Sequence, residues 1–284
     1  MEQLPLWHGT AAADPDRTAS GPIGRNVRVG TCGYSYADWV GTFYPRGLRR
    51  SSMLDYYVQR FAAVEIDSSY YRIPSEATIA SLNRRTPAEF RFTAKAPGTL
   101  THVAAGIAGA SLDDARLFRE RLEPLAGAGK LGAVLLQFPN GFRPGAQAEE
   151  HLATLRALLP GLPLVAEFRR RDWQSAATLE LLARLDIGWC NVDEPGFAGL
   201  LRPSSDVVGG VAYVRFHGRN ATNWWSGDAA TRYDYAYAAE ELEPWARRVA
   251  DMAQAAGETY VFFNNHRFGQ AASNAEQFAR MLGG

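Results

Sequence analysis

The feature that most constrains this chain is a regular alternation of short β-like runs with longer helical stretches. Eight runs rich in β-branched and aromatic residues begin near positions 27, 63, 90, 131, 163, 187, 211 and 259. The stretches between most of them carry apolar residues at three- and four-residue spacing, which is typical of amphipathic helices. Repeated βα units predict a parallel sheet, and eight of them predict a closed (β/α)8 or TIM barrel of the α/β class.

Domain organisation follows from the same alternation. No linker or change in composition divides residues 27–284, so we expect one barrel domain there, and we expect residues 1–26 to form a flexible, disordered tail. An open doubly wound sheet is the alternative fold. That fold normally has a G-x-G-x-x-G turn after its first strand, which the segment GTCGYSYADW from Gly30 does not match.

Composition narrows the setting in which the chain works. The formal net charge is zero, so there is no bulk attraction to nucleic acid or to anionic membranes. No apolar run approaches the ~20 residues that span a bilayer, and the first 26 residues lack the apolar region of a signal peptide. The cysteines, Cys32 and Cys190, make no disulfide framework, so we expect free thiols and a cytoplasmic protein.

Polar residues gather toward the C-terminal ends of the β-like runs, and barrel active sites lie at that end. We therefore expect a charged ring at the C-terminal mouth. Its candidate catalytic residues are His217, Lys95, Glu65 and Glu167. Its candidate ligand-binding residues are Asp67, Gln137, Arg169, Asp193, Arg215, Asn264, Tyr34 and His102. Internal ion pairs, such as Glu65 with Lys95 or Glu167 with Arg215, are the structural alternative for any single member.

Lysine usage singles out Lys95. Two of the 30 Lys and Arg residues are lysines, Lys95 and Lys130. A lysine in a chain that otherwise uses arginine indicates a need for a compact amine that can act as a base or nucleophile. We expect Lys95→Arg to abolish ligand binding or activity with the fold intact. Lys130 precedes the fourth run, and we expect it to be exposed and to tolerate arginine.

Other motifs admit two interpretations each. Arg219, Trp224 and Trp225 in HGRNATNWW suit a stacking platform for a base or sugar, or a loop held by its own tryptophans. Cys32 is interpreted as a small buried residue rather than a nucleophile. His151 is expected at a helix surface. In the loop after the first run, Tyr34, Tyr36 and Trp39 line the rim or pack the loop onto the barrel.

Metal binding is the least supported option. His102, His217 and His266 follow strand ends, so one metal with nearby carboxylates is conceivable, but no H-x-H or H-E-x-x-H spacing occurs. Hydrogen-bonding histidines are the favoured interpretation, so no metal ligands are assigned, and the cofactor is left open.

Several stretches together resemble one known family. These are GTCGYSYADWVGTFYP, EIDSSYYRIP, FTAKAP, LLQFPNGF, AEFRRRDW, NVDEP, VRFHGRN and YVFFNNH. They are similar to the motifs of the YecE-like family, also called domain of unknown function 72, and the match runs from Val27 to the end. The resemblance implies a TIM barrel and no settled activity. The family barrel is similar to that of endonuclease IV, which implies a nucleic-acid role only by analogy of fold.

Three functions therefore stay open. The first is binding or transformation of an anionic, nucleotide-like or sugar-like small ligand at the mouth. The second is a nucleic-acid-binding barrel, with or without metal-dependent nuclease activity, and the third is a non-catalytic scaffold for a partner. The sequence does not decide whether the chain is an enzyme, and it is silent on oligomeric state; no membrane partner is expected.

Overall fold

The architecture is a closed parallel barrel. A computed structural model describes residues 26–102 and 111–283, and most of the expected tail lies outside these residues. The strands pair in chain order and β8 pairs with β1, which confirms the predicted (β/α)8 barrel. The strands are β1 (Val27–Cys32), β2 (Ala63–Ile66), β3 (Arg91–Lys95), β4 (Leu131–Gln137), β5 (Leu164–Glu167), β6 (Ile187–Asp193), β7 (Val211–Phe216) and β8 (Glu258–Phe263).

Helices surround the strands and cover their outward faces. They are α1 (Met53–Tyr57), α2 (Glu76–Arg84), α3 (Gly98–Thr101), α4 (Leu112–Gly127), α5 (Ala146–Leu158), α6 (Ala176–Arg184), α7 (Ala229–Arg232), α8 (Ala239–Ala255) and α9 (Gln270–Gly283). Serines begin three of them, because the side chains of Ser75, Ser111 and Ser175 each accept a hydrogen bond from the amide three residues later. Among the described residues, no helix has the length and apolarity needed to cross a bilayer.

The barrel interior is layered. Near the N-terminal ends of the strands, Arg28 on β1 pairs with Glu258 on β8 at 2.9 Å. Above this pair lie the buried rings of Tyr213, Tyr260 and Phe262, with Tyr213 and Phe262 centroids 5.5 Å apart. These rings fill the lower lumen, so the polar side chains above them have only the C-terminal mouth as a route to solvent.

A β-bulge in β4 shifts its register against β3. Phe92 pairs with Leu131 but Thr93 pairs with Ala133, so Gly132 is an extra residue in its strand. A Cβ atom on Gly132 would overlap the ring of Tyr260, which explains the glycine. On its other side, β4 pairs with β5 in continuous register, and Gln137 at the end of β4 lies opposite Glu167.

Candidate functional site

The floor of the candidate site is a buried ion network centred on Arg215. One terminal nitrogen of its guanidinium donates to Glu65 Oε1 at 2.7 Å, and the other donates to Glu167 Oε2 at 2.6 Å. All three side chains are almost fully buried. Tyr213 donates from its hydroxyl to the second oxygen of Glu65 at 2.7 Å. Side chains alternate between the lumen and the helices along each parallel strand, so these residues of β2, β5 and β7 all face the lumen, and their opposite charges make their burial tolerable.

Arg169 extends this network toward solvent. Its Nη2 lies 2.8 Å from Glu167 Oε1, and its side chain keeps 13% of its exposure. Burial alone would raise the pKa of Glu167, but Arg169 and Arg215 together hold that pKa well below its usual range. Glu167 is therefore ionised and fully committed to these two arginines, and it is not free to act as a base.

Glu194, just beyond β6, is a member of the site that the sequence analysis missed. Its Oε1 accepts from the Leu201 amide, while Oε2 has no hydrogen-bond donor among the described residues and lies 3.7 Å from Arg169 Nη1. Burial raises the pKa of Glu194 to about 7. Side chains of a strand alternate between the lumen and the helices, so Glu194 faces the same way as Cys190, whose thiol points to Glu167 in the lumen. Extending this alternation one residue beyond Asp193 would have predicted that Glu194 faces the lumen.

His217 and Asn264 adjoin on β7 and β8, as expected, but His217 lies beneath the surface. Asn264 Nδ2 donates to His217 Nδ1 at 3.1 Å, so Nε2 carries the proton and donates to Glu167 at 3.1 Å. The ring of Tyr233 lies over His217, at 5.9 Å between centroids, and the histidine has no exposed surface. Burial and Arg169 lower the pKa of His217 to about 3. This neutral ring fits a positioning role on Glu167 better than contact with a ligand.

Lys95 stands apart from the network at the end of β3. It does not pair with Glu65, because Glu65 is already held by Arg215. Within residues 26–102 and 111–283, its ammonium has no ion pair or hydrogen bond, and its only close aromatic contact is the Tyr70 ring, 4.2 Å from Nζ. Lys95 is half-buried. Burial, followed by repulsion from Arg215, lowers its pKa to about 8.

Asp67 lies on the neighbouring β2 side of the mouth. Tyr36 donates from its hydroxyl to the Asp67 carboxylate at 3.3 Å, and Gly33, with a φ of 76°, leaves room for both side chains. Burial and the nearby Glu65 raise the pKa of Asp67, which Arg215 and Lys95 oppose. Asp67 thus lies within electrostatic reach of Lys95.

Two further predicted residues lie at the margin of the site. Gln137 is 8% exposed and donates to the Phe138 carbonyl, which leaves its side-chain oxygen available. His102 follows α3, with its ring 4.9 Å from the Tyr70 ring. Burial lowers the pKa of His102 to about 4, and Lys95 and Arg169 add to the effect, so His102 is a neutral neighbour of the two cations.

The prediction that Asp193 lies at the mouth was wrong. Asp193 faces outward from β6 and accepts hydrogen bonds from Arg219, Tyr237 and Trp245, at 2.6 to 2.8 Å. The sequence analysis placed it by its position at a strand end and overlooked its parity, which is opposite to that of Cys190. Asp193 holds α8 and the segment after β7 against the barrel.

The proposed stacking platform is also not formed as expected. Arg219 is occupied by Asp193 and Glu241, and Trp224 is buried, so Trp225 alone of the three is exposed. In the first loop, Trp39 is buried and donates to the His266 carbonyl. Tyr34 packs toward Tyr57 of α1, away from the network, so the loop's contribution to the mouth comes from Tyr36.

Two surface predictions were wrong. Lys130 is 6% exposed, and its ammonium donates to the carbonyls of Asn83 and Thr86 at 2.7 Å. His151 is 1% exposed and hydrogen-bonds the Leu100 carbonyl through Nε2 at 2.9 Å. Both residues join one βα unit to the next, a role that depends on contacts distant in sequence and therefore leaves no local signal.

The remaining candidates concern sulfur and metal chemistry. Cys32 and Cys190 are buried free thiols. Burial raises the pKa of Cys32 well above its ordinary value, so its thiol stays protonated. Within the described ranges, no group of three or more His, Cys, Asp or Glu side chains is arranged to hold a metal ion.

Comparison with known proteins gives the family setting. A family model described as "Protein of unknown function DUF72" matches residues 28–284. The UPF0759 protein YunF of Bacillus subtilis (strain 168) is 29% identical over 272 residues, covering 90% of this chain and 94% of YunF.

Solved structures extend the comparison. A DUF72 family protein from Thermotoga maritima MSB8 is 38% identical with a TM-score of 0.83, covering 90% of this chain and 98% of that one. A D-psicose 3-epimerase from Clostridium cellulolyticum H10, solved with D-tagatose, has a TM-score of 0.50 at 10% identity, covering 90% of this chain and 96% of that one. The second likeness shows the barrel fold alone.

Proposed function

Since this chain belongs to the DUF72 family, whose description assigns no reaction, we propose that it binds a small anionic ligand at the mouth of the barrel, between Lys95 and Arg169. The observation that carries this proposal is the ammonium of Lys95, which has no ion pair or hydrogen bond within the part of the chain that the structure describes. A half-buried cation without a counter-ion is unfavourable unless an anion completes the site.

The charge distribution supports an anionic occupant. Glu65 and Glu167 form their ion pairs with Arg215 and Arg169 below the mouth, and neither pairs with Lys95. Both carboxylates raise the pKa of Lys95, but burial and Arg215 lower it by more. Arg169 acts in the same direction on three groups, because it lowers the pKa of Lys95, His102 and His217. Groups at separate positions thus experience the same positive potential, which favours carboxylate or phosphate groups.

A small ligand fits this site better than nucleic acid does. The cations are recessed and half-buried, whereas nucleic-acid binding relies on many exposed phosphate contacts. Arg219 and Trp224, which would have served a strand of nucleic acid, are occupied inside the protein. The aromatic rings beside the mouth, those of Tyr36, Tyr70 and Tyr233, suit a sugar or a planar group attached to the anion.

Phosphate and sulfate titrations test the proposal. In calorimetry and thermal melting at fixed ionic strength, we expect inorganic phosphate to bind and to raise the melting temperature. Lys95→Met should weaken phosphate binding by about tenfold or more, since a charge-assisted hydrogen bond contributes about 1.5–3 kcal/mol. Arg170→Gln is the matched control, because Arg170 follows Arg169 but pairs with Asp172.

Two outcomes would contradict the proposal. One is phosphate binding that is equally strong in wild type and Lys95→Met. The other is an absence of anion binding together with tight, salt-dependent binding of a single-stranded oligonucleotide, which would support the nucleic-acid alternative.

A further inference from the structure

Lys95 carries an inference about chemistry that deepens the proposed function and rests on it. We propose that Lys95 Nζ forms an imine with the carbonyl carbon of an anionic aldehyde or ketone whose acidic group is held by Arg169. The ligand class is then narrowed from any small anion to a carbonyl compound that also carries a carboxylate or phosphate.

The first support is the availability of the amine. Lys95 Nζ has no ion pair or hydrogen bond among the described residues, and the face of Tyr70 lies 4.2 Å away. An amine needs its lone pair to attack a carbonyl, so an ammonium committed to a carboxylate would be a poor nucleophile. Its lowered pKa, about 8, makes a useful fraction of neutral amine available near neutral pH.

The second support is the contrast with Lys130. Lys130 is buried and donates three hydrogen bonds, to Asn83 O, Thr86 O and Thr86 Oγ1. The chain therefore contains one lysine held as a structural cation and one at the mouth that no described residue binds. Arginine could neutralise an anion at position 95, but it could not form an imine.

The third support is the set of neighbouring groups that could move protons. In the reaction, the amine lone pair forms the new N–C bond while the carbonyl π electrons move to oxygen. The nitrogen gives up one proton and the oxygen takes one, which yields a carbinolamine. The nitrogen then loses its second proton, the hydroxyl takes a proton and leaves as water, and the nitrogen lone pair forms the C=N bond. Asp67, which accepts a hydrogen bond from Tyr36 at 3.3 Å on the β2 side of the mouth, is the carboxylate that we assign to carry these protons.

Borohydride trapping is the direct test. The native protein is incubated with glyoxylate or with pyridoxal 5′-phosphate, a small and a larger anionic aldehyde, then reduced with sodium borohydride and mapped by peptide mass. We expect the adduct on Lys95, at least tenfold over Lys130. Since these are the chain's two lysines, Lys130 is an internal control, and both should react in denaturant.

Matched reagents and a variant separate directed from random labelling. Pyridoxal, which lacks the phosphate, should label Lys95 about tenfold more slowly, and inorganic phosphate should protect Lys95 against both anionic aldehydes. Lys95→Arg should lose trapping at position 95 while retaining measurable phosphate binding.

The results distinguish this inference from the function on which it rests. If neither aldehyde is trapped on Lys95, or if pyridoxal labels it as fast as its phosphate ester, imine formation directed by an anion is wrong. The anion site still stands in that case if phosphate stabilises the wild type and Lys95→Met abolishes the effect. Absence of both effects overturns both proposals.

Discussion

Adjacent residues at the end of β6 contact different parts of the protein because successive side chains of a strand face opposite ways. Asp193 faces the helices and accepts from Trp245 of α8, whereas Glu194 faces the lumen and lies near Arg169. The side chain of Glu194 is 1% exposed, yet one of its oxygens has no hydrogen bond among the described residues. A buried carboxyl in this state should affect how the free energy of unfolding depends on pH.

We expect Glu194→Gln to change how stability depends on pH. The folded-state pKa of Glu194, about 7, lies above its ordinary value of 4.5, so folding binds a proton. Its stabilising contribution is therefore present below about pH 4.5 and is lost as the pH rises through 7. Glutamine keeps the size and removes the titration. In urea unfolding, the free energy of unfolding of the variant relative to the wild type should increase by up to about 3 kcal/mol between about pH 5 and pH 8.

The pH range itself provides the control for this prediction. Below about pH 4.5 the wild-type carboxyl is protonated in both states, so the difference between the proteins should become constant there. A difference that stays the same from pH 5 to pH 8 would contradict a raised pKa at Glu194.

At the residue scale, the sequence predicted the direction of some side chains correctly and that of others wrongly. Parity at strand ends indicated that Glu65, Glu167 and Arg215 face inward, and the structure brings them into one network. Of the two ion pairs that the sequence analysis named, the structure contains Glu167 with Arg215, whereas Glu65 pairs with Arg215 and not with Lys95. The choice of partner depends on distances across the lumen, which strand parity does not give. Asp193 was misplaced since a position at the strand end was given more weight than the direction of its side chain.

At the scale of elements, Lys130 joins the end of α2 to the start of β4. Its ammonium donates to two backbone carbonyls, of Asn83 and Thr86, that the helix leaves without intrahelical partners. We expect Lys130→Arg to lower the free energy of unfolding by about 1–3 kcal/mol, because a planar guanidinium is too large for a buried site shaped for an ammonium. Urea denaturation measures the change.

An exposed cation on α4 supplies the comparison for this substitution. Arg116→Lys should leave the free energy of unfolding within about 0.5 kcal/mol of the wild type. If Lys130→Arg were equally neutral, position 130 would be as tolerant as the sequence alone suggested.

The bulge in β4 gives a second prediction for an element. A methyl group at Gly132 would overlap the ring of Tyr260, which is buried in the lumen and has little room to move. Gly132→Ala should therefore lower the free energy of unfolding by about 1–3 kcal/mol. Gly141→Ala is the matched control, since a methyl group there meets nothing within 4 Å. Equal stability of the two variants would show that the lumen can adjust around the bulge.

At the scale of the whole molecule, neutral histidines oppose folding in acid. Burial lowers the pKa of His217 to about 3 and that of His102 to about 4, and it also lowers that of His266. The unfolded chain protonates these rings near pH 6.5, so their contribution to stability declines as the pH falls below that value. Glu194 and Asp67 act in the opposite direction, because burial raises their pKa.

His217→Gln isolates one of these contributions. Between about pH 4 and pH 6, the slope of unfolding free energy against pH should decrease by close to one proton, about 1.4 kcal/mol per pH unit. The slope is readable even if the variant is less stable overall, since destabilisation shifts the curve without tilting it. An unchanged slope would show that His217 is not held neutral in the folded protein.

The fold as a whole was predictable because it depends on a repeated pattern. Eight β-like runs separated by amphipathic stretches leave few ways to bury the apolar faces, and the closed barrel is one of them. The bulge at Gly132 was not predictable, because it reflects how β4 fits against β3 and against a ring on β8. Local patterns thus specify elements, while register depends on partners far away in the chain.

The pairing of β1 with β8 has a consequence for how the chain folds during its synthesis. Arg28 and Glu258 hold these strands together although they are separated by 230 residues. The first strand therefore leaves the ribosome long before its neighbour on that side has been synthesised. Closure must wait until nearly the whole chain has emerged, and such non-local pairing slows folding. During translation, β1 has unpaired backbone groups at one sheet edge, which can pair with other chains. Chaperones should therefore bind this nascent chain until β8 has been synthesised.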